Sequence, residues 1–331
     1  MLALDRWKLI GWRLLQFVPV IVMATFIVFG LMQLVPGDIA VTLAGENPSA
    51  ARIAELRGLL GLDRPLLAQY GNWLWDTLHF DLGKSMLSGE PVLQSILKRF
   101  PTTLQIVVFA LSLSLLIGVP MGILAALKPN SRVDAFVTSV ASLGVALPNF
   151  WLAMLLVSTF ALTLGWLPAT GAVDFLKDPM ASLKSAVLPA CALAAGGVAE
   201  IARQLRGSLV EVLSSQFVRT LHAKGLPPSA ILWRHGLKNV SVNLLTVIGL
   251  MFNRLLGATV VIEAVFAIPG VGSMVVASAI QKDFPVIQGV VLAMVLIVIS
   301  LNLLIDVLYT CLLYTSPSPR DRTRSRMPSS A

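Results

Sequence analysis

Four uncharged stretches of apolar residues constrain this chain more than any other feature of its sequence. They cover residues 14–35, 104–127, 136–164 and 286–305. Because a helix needs about 20 apolar residues to cross the ~30 Å hydrocarbon core of a bilayer, each stretch is long enough to span a membrane. Hydrophobic residues make up 56% of the 331-residue chain and charged residues only 13%, about half of the ~25% usual in soluble domains. This composition excludes soluble globular, disordered and fibrous proteins.

Two further apolar stretches are weaker candidates for spans. Residues 240–262 are long enough but contain Arg254, and residues 186–202 form a short stretch that carries Glu200. Counting both, the sequence predicts an all-α polytopic membrane protein with six transmembrane helices. The first apolar stretch exceeds the ~7–15 residues typical of the core of a signal peptide, so we expect it to remain as the first span.

The distribution of positive charge predicts the orientation in the membrane. With the N-terminus inside, the inner segments hold eleven Lys and Arg residues before the C-terminal tail, against nine in the outer segments, six of which share one long loop. Short cytoplasmic loops carry an excess of Lys and Arg, so both termini are predicted to be cytoplasmic. The net charge of +8 is therefore read as a topology signal. The sequence has no basic stripe with interleaved aromatic residues, which argues against a nucleic-acid partner.

The loop between the first two predicted spans, residues 36–100, is too long to be a structureless connection. Asn47, followed by a proline, is typical of a helix N-terminus, and Gly61 is typical of a helix end. A second helix is expected to begin after Pro65 and to end before residues 81–83. The loop is interpreted as a small helical cap on the outer face, as a docking surface for an extracytoplasmic partner, or as both.

The inner segment 203–239 also has structure of its own. Apolar residues recur at helical spacing up to Gly225, which permits a left-handed turn, and two prolines then prevent the helix from continuing. A second short helix is expected to follow. The pair is interpreted as an amphipathic hairpin on the membrane surface or as a knob shaped for a cytoplasmic partner. Its apolar positions are Val210, Leu213, Phe217, Val218 and Leu221, then Ile231, Leu232 and Leu237.

Seven motifs occur in an order that resembles a known family over residues 9–309. The chain resembles the transmembrane permease subunit of ABC importers of the dipeptide, oligopeptide and nickel type. Any one of the motifs would be weak, but the ordered set is specific. They are L-V-P-G-D at 34–38, G-L-D-R-P-L-L-A-Q-Y at 61–70, D-L-G-K-S at 81–85, R-F-P-T-T-L at 99–104, G-W-L-P-A-T-G at 165–171, F-V-R-T-L-H-A-K-G-L at 217–226 and E-A-V-F-A-I-P-G-V-G at 263–272.

The resemblance implies the type I ABC importer permease fold and a multi-pass protein of the bacterial inner membrane. It implies a translocation path for peptides, nickel chelates or glutathione-like solutes, with no cofactor. The implied partners are a second homologous permease subunit, two cytoplasmic ABC ATPase subunits, an extracytoplasmic solute-binding protein and membrane lipid. The chain is expected not to be an enzyme, because its one Gly-Lys-Ser string has Leu78 where a phosphate-binding loop needs glycine.

By the same resemblance, a short helix near residues 215–229 is the coupling helix that docks into a groove on an ATPase subunit. One departure from the family pattern lies downstream, since residues 237–243 lack the usual proline. The angle at which the fifth span leaves the membrane surface is therefore left open. The residues assigned to ATPase coupling are Phe217, Val218, Arg219, Leu221, His222, Ala223, Lys224 and Gly225.

Charged and polar residues inside spans are candidates for the translocation path, because burying them in lipid is costly. Arg254 lies near the middle of the fifth predicted span, beside Asn253, and could bind a substrate carboxylate. A structural partner on another helix is the alternative. Asn149 follows a proline that breaks the third span, either to line a cavity or as a packing kink. Glu200 and Arg203, near the inner end of the fourth predicted span, are expected to pair or to snorkel.

The chain is divided into a first span with its outer loop, residues 1–101, and a five-helix permease core, residues 102–310. The Ser, Pro and Arg-rich tail, residues 311–331, is interpreted as a non-native or disordered appendage, with a lipid-binding basic tail as the alternative. An ion-coupled secondary transporter is the alternative function. That class often shows inverted repeats and acidic residues at span centres, and the sequence shows neither. An intramembrane enzyme would need paired catalytic groups inside spans, which the sequence also lacks.

Overall fold

The computed structural model describes residues 2–34, 39–44, 49–59 and 61–314. Within these ranges the chain is built from helices and has no strand longer than a single bridge between Lys84 and Pro91. The prediction of an all-α protein is confirmed. In chain order the helices are α1 (Leu2–Leu34), α2 (Ile39–Ala44), α3 (Ala50–Leu59), α4 (Leu66–Leu78), α5 (Val92–Leu127), α6 (Arg132–Ala146), α7 (Asn149–Leu156), α8 (Pro179–Leu213), α9 (Gln216–Ala223), α10 (Pro228–Ala230), α11 (Leu237–Val265), α12 (Val271–Gln281) and α13 (Phe284–Tyr314).

Four helical runs in the described part of the chain are long and apolar enough to cross a membrane. They are α5, α8, the run from α10 through α11 (Pro228–Val265) and the first 25 residues of α13. A fifth candidate is the pair α6 and α7, the latter extended by a π-helical segment to Thr163. The first predicted span lies on α1, whose described apolar part, Leu15–Gly30, is shorter. Five of the six predicted stretches therefore fall on one helix each, and the third falls on the bent pair α6 and α7.

The third predicted span is bent rather than continuous. α6 and α7 meet at an angle of 96°. The cause is local, because Pro148 lacks a backbone N–H and pushes the preceding Leu147 out of the helical region. Leu147 is extended, with φ −81° and ψ 126°. The bend leaves Asn149 as the first residue of α7.

Three helices, α8, α5 and α13, run further than the sequence predicted. α8 is 35 residues long, although the apolar stretch from which the fourth span was predicted covers only residues 186–202. Asp178 caps its N-terminus by accepting a 3.0 Å hydrogen bond from the Ala181 N–H, and polar residues at the inner end continue the helix to Leu213. α5 begins at Val92 and passes through Pro101, so the proposed division at residues 101–102 falls inside one helix. α13 reaches Tyr314, and residues 315–331 of the tail lie outside the described residues.

The predicted helices of the outer loop are present as α3 and α4, and Gly61 between them has the expected left-handed backbone, φ +67°. α4 packs against the first span through Tyr70. The Tyr70 hydroxyl shares a 2.9 Å hydrogen bond with Thr25, and its ring meets the Phe26 ring edge-on at 5.4 Å. The loop is therefore held against α1, as a helical cap would be. Its docking of an extracytoplasmic partner stays a prediction.

The most extensive helix contact in the molecule joins α5 and α8. A Cβ on Gly118 would lie 2.9 Å from the Val198 carbonyl oxygen, and one on Gly122 would lie 2.9 Å from that of Ala202. Next to them, the Ser114 hydroxyl donates to the Ala110 carbonyl at 2.8 Å and to a carbonyl of α8 at 3.3 Å. Small residues spaced four apart let two backbones approach closely, which is how helices associate in lipid.

We expect Gly122→Ala to destabilise the protein, because the added methyl group would press on the backbone of α8. Overpacking of this kind costs about 1–3 kcal/mol. Gly207→Ala, on α8 itself, is the matched control, since a Cβ there meets nothing within 4 Å. Alanine should even favour the helix at that position. The measurement is the thermal midpoint of the purified complex, and equal midpoints for the two variants would contradict this account of the α5–α8 contact.

Candidate coupling and translocation sites

The predicted coupling residues lie on α9 and, for Lys224 and Gly225, directly after it, and α9 is separate from α8. The sequence predicted one helix through Val210 and Leu221, and this is wrong, because the chain breaks at Ser214 and Ser215. The Ser215 hydroxyl donates to the carbonyl of Val212 at 2.5 Å, and serine side chains that bond the local backbone in this way compete with helix propagation. α9 is thus a separate short helix that can present a face away from the spans.

Gly225 ends α9 in the manner that the sequence predicted. Its φ is +80°, its N–H donates to the His222 carbonyl at 2.9 Å, and the Leu226 N–H donates to the Leu221 carbonyl at 3.2 Å. This pair of bonds is the Schellman motif, which requires a left-handed residue at the position of Gly225. A Cβ there would meet nothing within 4 Å. The demand for glycine therefore comes from the backbone angle alone.

The side chains of α9 separate into an anchored set and an exposed set. Val218 is buried, with 3% of its surface exposed, and Leu221 is half-buried. Phe217 is 41% exposed, a high value for a large apolar side chain. The remaining residues assigned to coupling are all exposed, namely Arg219, His222, Ala223, Lys224 and Gly225. The helix thus turns one apolar edge to the protein and presents a mixed apolar and basic surface.

The second short helix that was expected after α9 is not a separate helix. α10 leads through a π-helical segment, Ile231–Gly236, straight into α11. Because no proline follows Gly236 and the π-helical turn accommodates that glycine, nothing ends the helix. Leu232 packs with Leu205 and Leu209 of α8 in one buried cluster. The segment after α9 is therefore the first part of the fifth span, fixed against α8.

An ion pair at the same end of the molecule was missed from the sequence. Arg206 of α8 donates from Nε and Nη2 to the two carboxylate oxygens of Asp134, at 2.9 and 2.6 Å. Asp134, at the start of α6, is 4% exposed and also accepts a 2.9 Å bond from the Asn130 N–H. The sequence signal was Ser131 three residues before Asp134, a helix-start pattern. Nothing in that pattern pointed to Arg206.

Asn149 and Arg254, both predicted to line the translocation path, border one cavity of about 200 Å³. The cavity lies where the bend between α6 and α7 meets α8 and α11. The Arg254 guanidinium donates from both Nη atoms to the carboxylate of Glu200, the Nη2–Oε1 distance being 3.3 Å. Glu200 borders the same cavity, as do Gly196 and Gly197 one turn away on α8. The structure thus gathers one acid, one base and one amide around a single space.

The other predicted residues lie elsewhere. Asn253 donates to the side-chain oxygen of Asn302 on α13 at 3.3 Å, and it is not among the residues that border the cavity. Glu200, which was expected to pair or to snorkel, pairs with Arg254 of α11. Since α8 continues to Leu213, Glu200 lies well inside the helix.

A buried carboxylate organises the opposite end of α11. Glu263 is fully buried and accepts hydrogen bonds from the Thr103 hydroxyl at 2.6 Å and from the Ser273 N–H at 2.8 Å. Thr103 in turn accepts from the Val271 N–H at 2.9 Å. The carboxylate therefore caps α12, where the helix dipole favours negative charge. A Cβ on Gly270 would lie 2.2 Å from the Glu263 carboxyl carbon, which accounts for the glycine in the E-A-V-F-A-I-P-G-V-G motif.

A second carboxylate anchors the D-L-G-K-S motif of the outer loop. Asp283, between α12 and α13, is 3% exposed. It accepts hydrogen bonds from the Ser85 hydroxyl at 2.5 Å and from the Met86 N–H at 3.1 Å. The sequence does not predict a role for this motif, because its partner lies 198 residues away along the chain.

We expect Glu263→Gln to lower the stability of the protein, because an amide would turn an N–H₂ group toward a donor. Leaving a buried polar group unsatisfied costs about 1–3 kcal/mol. Thr103→Val should have a similar effect, and the double variant should lose less than the sum of the two, since they act on one network. The control is Glu55→Gln, in an exposed ion pair with Arg52. Thermal midpoints of the complex that are unchanged in Glu263→Gln would contradict the capping role.

Comparison with known protein families matches almost the whole chain. Residues 118–313 match the family described as binding-protein-dependent transport system inner membrane component, and residues 7–107 match its N-terminal part. A putative peptide transport system permease protein of Brucella abortus is 41% identical over 90% of this chain and 95% of its own length. A dipeptide transport system permease protein of Alkalihalophilus pseudofirmus is 36% identical, over 90% and 96%. A glutathione transport system permease protein of Pectobacterium atrosepticum is 39% identical, over 91% and 95%.

The solved structures add evidence on the fold. A chain of the methionine ABC transporter MetNI in an inward-facing conformation matches 66% of this chain and 97% of its own length, with a TM-score of 0.56 and 18% identity. The predicted permease fold is confirmed. The family matches place the protein in the bacterial plasma membrane as a multi-pass permease. It works with a binding protein and with an ATPase, and ATP is hydrolysed by the ATPase and not by the permease. The chain belongs to the family of binding-protein-dependent transport system inner membrane components, the permease subunits of ABC importers.

Proposed function

We propose that this permease forms half of a path through which peptides or related small solutes enter the cytoplasm. The names of its relatives, which transport peptides, dipeptides and glutathione, support this substrate class. The proposed assembly contains a second homologous permease, two cytoplasmic ATPases and one extracytoplasmic binding protein. The observation that carries the proposal is a charged pair, Glu200 with Arg254, beside a cavity between two spanning helices.

The exposure of this pair supports its place on the path. Arg254 has 66% of its side chain exposed and Glu200 has 27%. Exposed charge on the middle of a spanning helix is costly against lipid, so such residues face the interior of a bundle or a water-filled cavity. In a pair of permeases, the surface that carries Arg254 would face the partner permease and the space between them. We therefore assign Asn149 and Arg254 to the path, while the role of Asn253 stays a prediction.

The geometry of α9 supports its assignment as the coupling helix. Val218 fixes it to the protein, the Schellman motif fixes its end at Gly225, and the chain then continues into α10 and α11. A displacement of α9 by an ATPase would therefore be transmitted to α11, the helix that carries Arg254. The exposed Phe217 supplies apolar contact for a groove, and Arg219 and Lys224 supply charge for acidic groups.

The proposed topology has both termini in the cytoplasm, residues 36–100 outside and α9 inside. We expect single cysteines at Ser88 and Ser229, introduced in a chain with Cys191→Ser and Cys311→Ser, to react with a membrane-impermeant maleimide from opposite sides. Both positions are exposed. The measurement is labelling of intact cells compared with inverted membrane vesicles. Labelling of both positions from one side would end this topology.

We expect Gly225→Val to uncouple transport from ATP hydrolysis, because valine strains the left-handed backbone at the end of α9. The strain of about 1–2 kcal/mol would reduce the correctly docked population roughly 5- to 30-fold. Gly225→Asn is the matched control, since asparagine tolerates this conformation and the surrounding space is open. The measurement is substrate-stimulated ATPase activity and uptake by the assembled complex. Normal stimulation and normal uptake by Gly225→Val would refute the coupling role.

A further inference from the structure

We infer that Glu200 and Arg254 form a binding site for a zwitterionic peptide, in which Arg254 takes the terminal carboxylate and Glu200 takes the terminal ammonium. This inference rests on the proposed function and adds the chemistry by which the path recognises its cargo. In the empty permease the two side chains neutralise each other. On binding, each of them exchanges its partner for one end of the peptide.

The contrast between the two ion pairs of α8 carries this inference. The pair of Asp134 and Arg206 is largely buried: the side chain of Asp134 is 6% exposed and that of Arg206 is 33% exposed. Asp134 also accepts hydrogen bonds from Asn130 and Thr138. The pair of Glu200 and Arg254 is far more exposed, and within the described residues Arg254 is the hydrogen-bond donor to Glu200. A pair that only braced two helices would be expected to resemble the first and not the second.

The charges of the pair match those of a free peptide. Guanidinium groups bind carboxylates through two parallel hydrogen bonds, and a carboxylate such as Glu200 accepts from an ammonium group. When one member of an ion pair loses its partner where water is scarce, as between the two permeases of the proposed complex, the charge left unpaired is costly. A zwitterion avoids that cost, because it brings one charge of each sign at the same moment. A peptide blocked at either end would leave one protein charge unpaired.

The size of the cavity fits a small ligand. Its volume of about 200 Å³ is below the ~300–1,000 Å³ typical of sites for drug-sized molecules. Gly196 borders it, and because a Cβ there would meet no atom closer than 3.8 Å, the backbone at this position lies within reach of a ligand. The two ends of an extended dipeptide lie within about 7 Å of each other, so a modest separation of the two side chains admits it. Asn149, at the bend of the third span, is placed to bond the peptide group between the ends.

The test measures direct protection of the cavity in the complete complex, without the binding protein. Val145 borders the cavity and is 52% exposed. A cysteine at Val145, in the chain with Cys191→Ser and Cys311→Ser, reports occupancy through its rate of reaction with a charged methanethiosulfonate. The probes are Ala-Ala, N-acetyl-Ala-Ala and Ala-Ala amide. We expect Ala-Ala to slow the reaction and each blocked peptide to protect roughly 10- to 100-fold less well, the value of one lost charge-assisted interaction.

Variants assign each end of the peptide to its residue. Arg254→Gln should remove the preference for Ala-Ala over its amide, and Glu200→Gln should remove the preference for Ala-Ala over its N-acetyl form. Arg52→Gln, in the exposed pair on α3, is the control and should leave both preferences intact. If the single variants fail to assemble, the charge-swapped variant Glu200→Arg with Arg254→Glu restores the pair and keeps the test open, since it should still bind the zwitterion.

The outcomes separate this inference from the proposed function. Equal protection by all three peptides, or preferences that survive Arg254→Gln and Glu200→Gln, would overturn the zwitterion site while leaving a peptide path in place. Uptake of radiolabelled Ala-Ala by the wild-type complex with its binding protein tests the path itself. An absence of uptake with Ala-Ala, with longer peptides and with glutathione would overturn the proposed function, whatever the labelling shows.

Discussion

Helices in a bilayer gain little from burying apolar surface against each other, because lipid tails are as apolar as leucine. The fold therefore depends on contacts close enough for backbone-to-backbone packing, and the contact of α5 with α8 is the most extensive helix contact in the described part of the chain. Gly118 and Gly122 leave no room for a side chain there. Once α5 and α8 are joined, the position of α8 sets those of the other elements, since it also contacts α6, α7 and α11. It carries Glu200 to the cavity and Arg206 to the start of α6.

Carboxylates in the interior of the protein stand at places where helices meet. Asp134 joins α6 to α8, Glu263 joins α5, α11 and the start of α12, and Asp283 joins the outer loop to α13. These three are almost fully buried, and each has several donors, so the ends of the bundle are held in fixed arrangements. Glu200 differs, being more exposed and paired with a long flexible side chain. The positions of these carboxylates thus give a permease whose two ends are rigid and whose ion pair in the middle can rearrange.

The sequence predicted well whatever depends on neighbouring residues. Long apolar stretches identified the helices, and the glycine at 225 identified a left-handed turn, because both follow from local sterics and from the lipid environment. The failures were of two kinds. The ends of α8 were missed because polar residues continue a helix as readily as apolar ones. The pairs of Glu200 with Arg254 and of Asp134 with Arg206 were missed because their members lie 54 and 72 residues apart, and no local pattern predicts which distant charges meet.

The continuity of the chain after α9 links the two sites physically. From Pro228 to Arg254 the chain is one helical run, which rises roughly 1.5 Å per residue and transmits a displacement along its length. The π-helical segment at its start, Ile231–Gly236, is the kind of irregular turn found at functional sites. A tilt of α11 against α8, which is held by α5, changes the distance between Arg254 and Glu200. A movement of α9 would therefore reach the ion pair beside the cavity through α11, and in the proposed mechanism the opening of that pair couples the ATPase to the site that receives the solute.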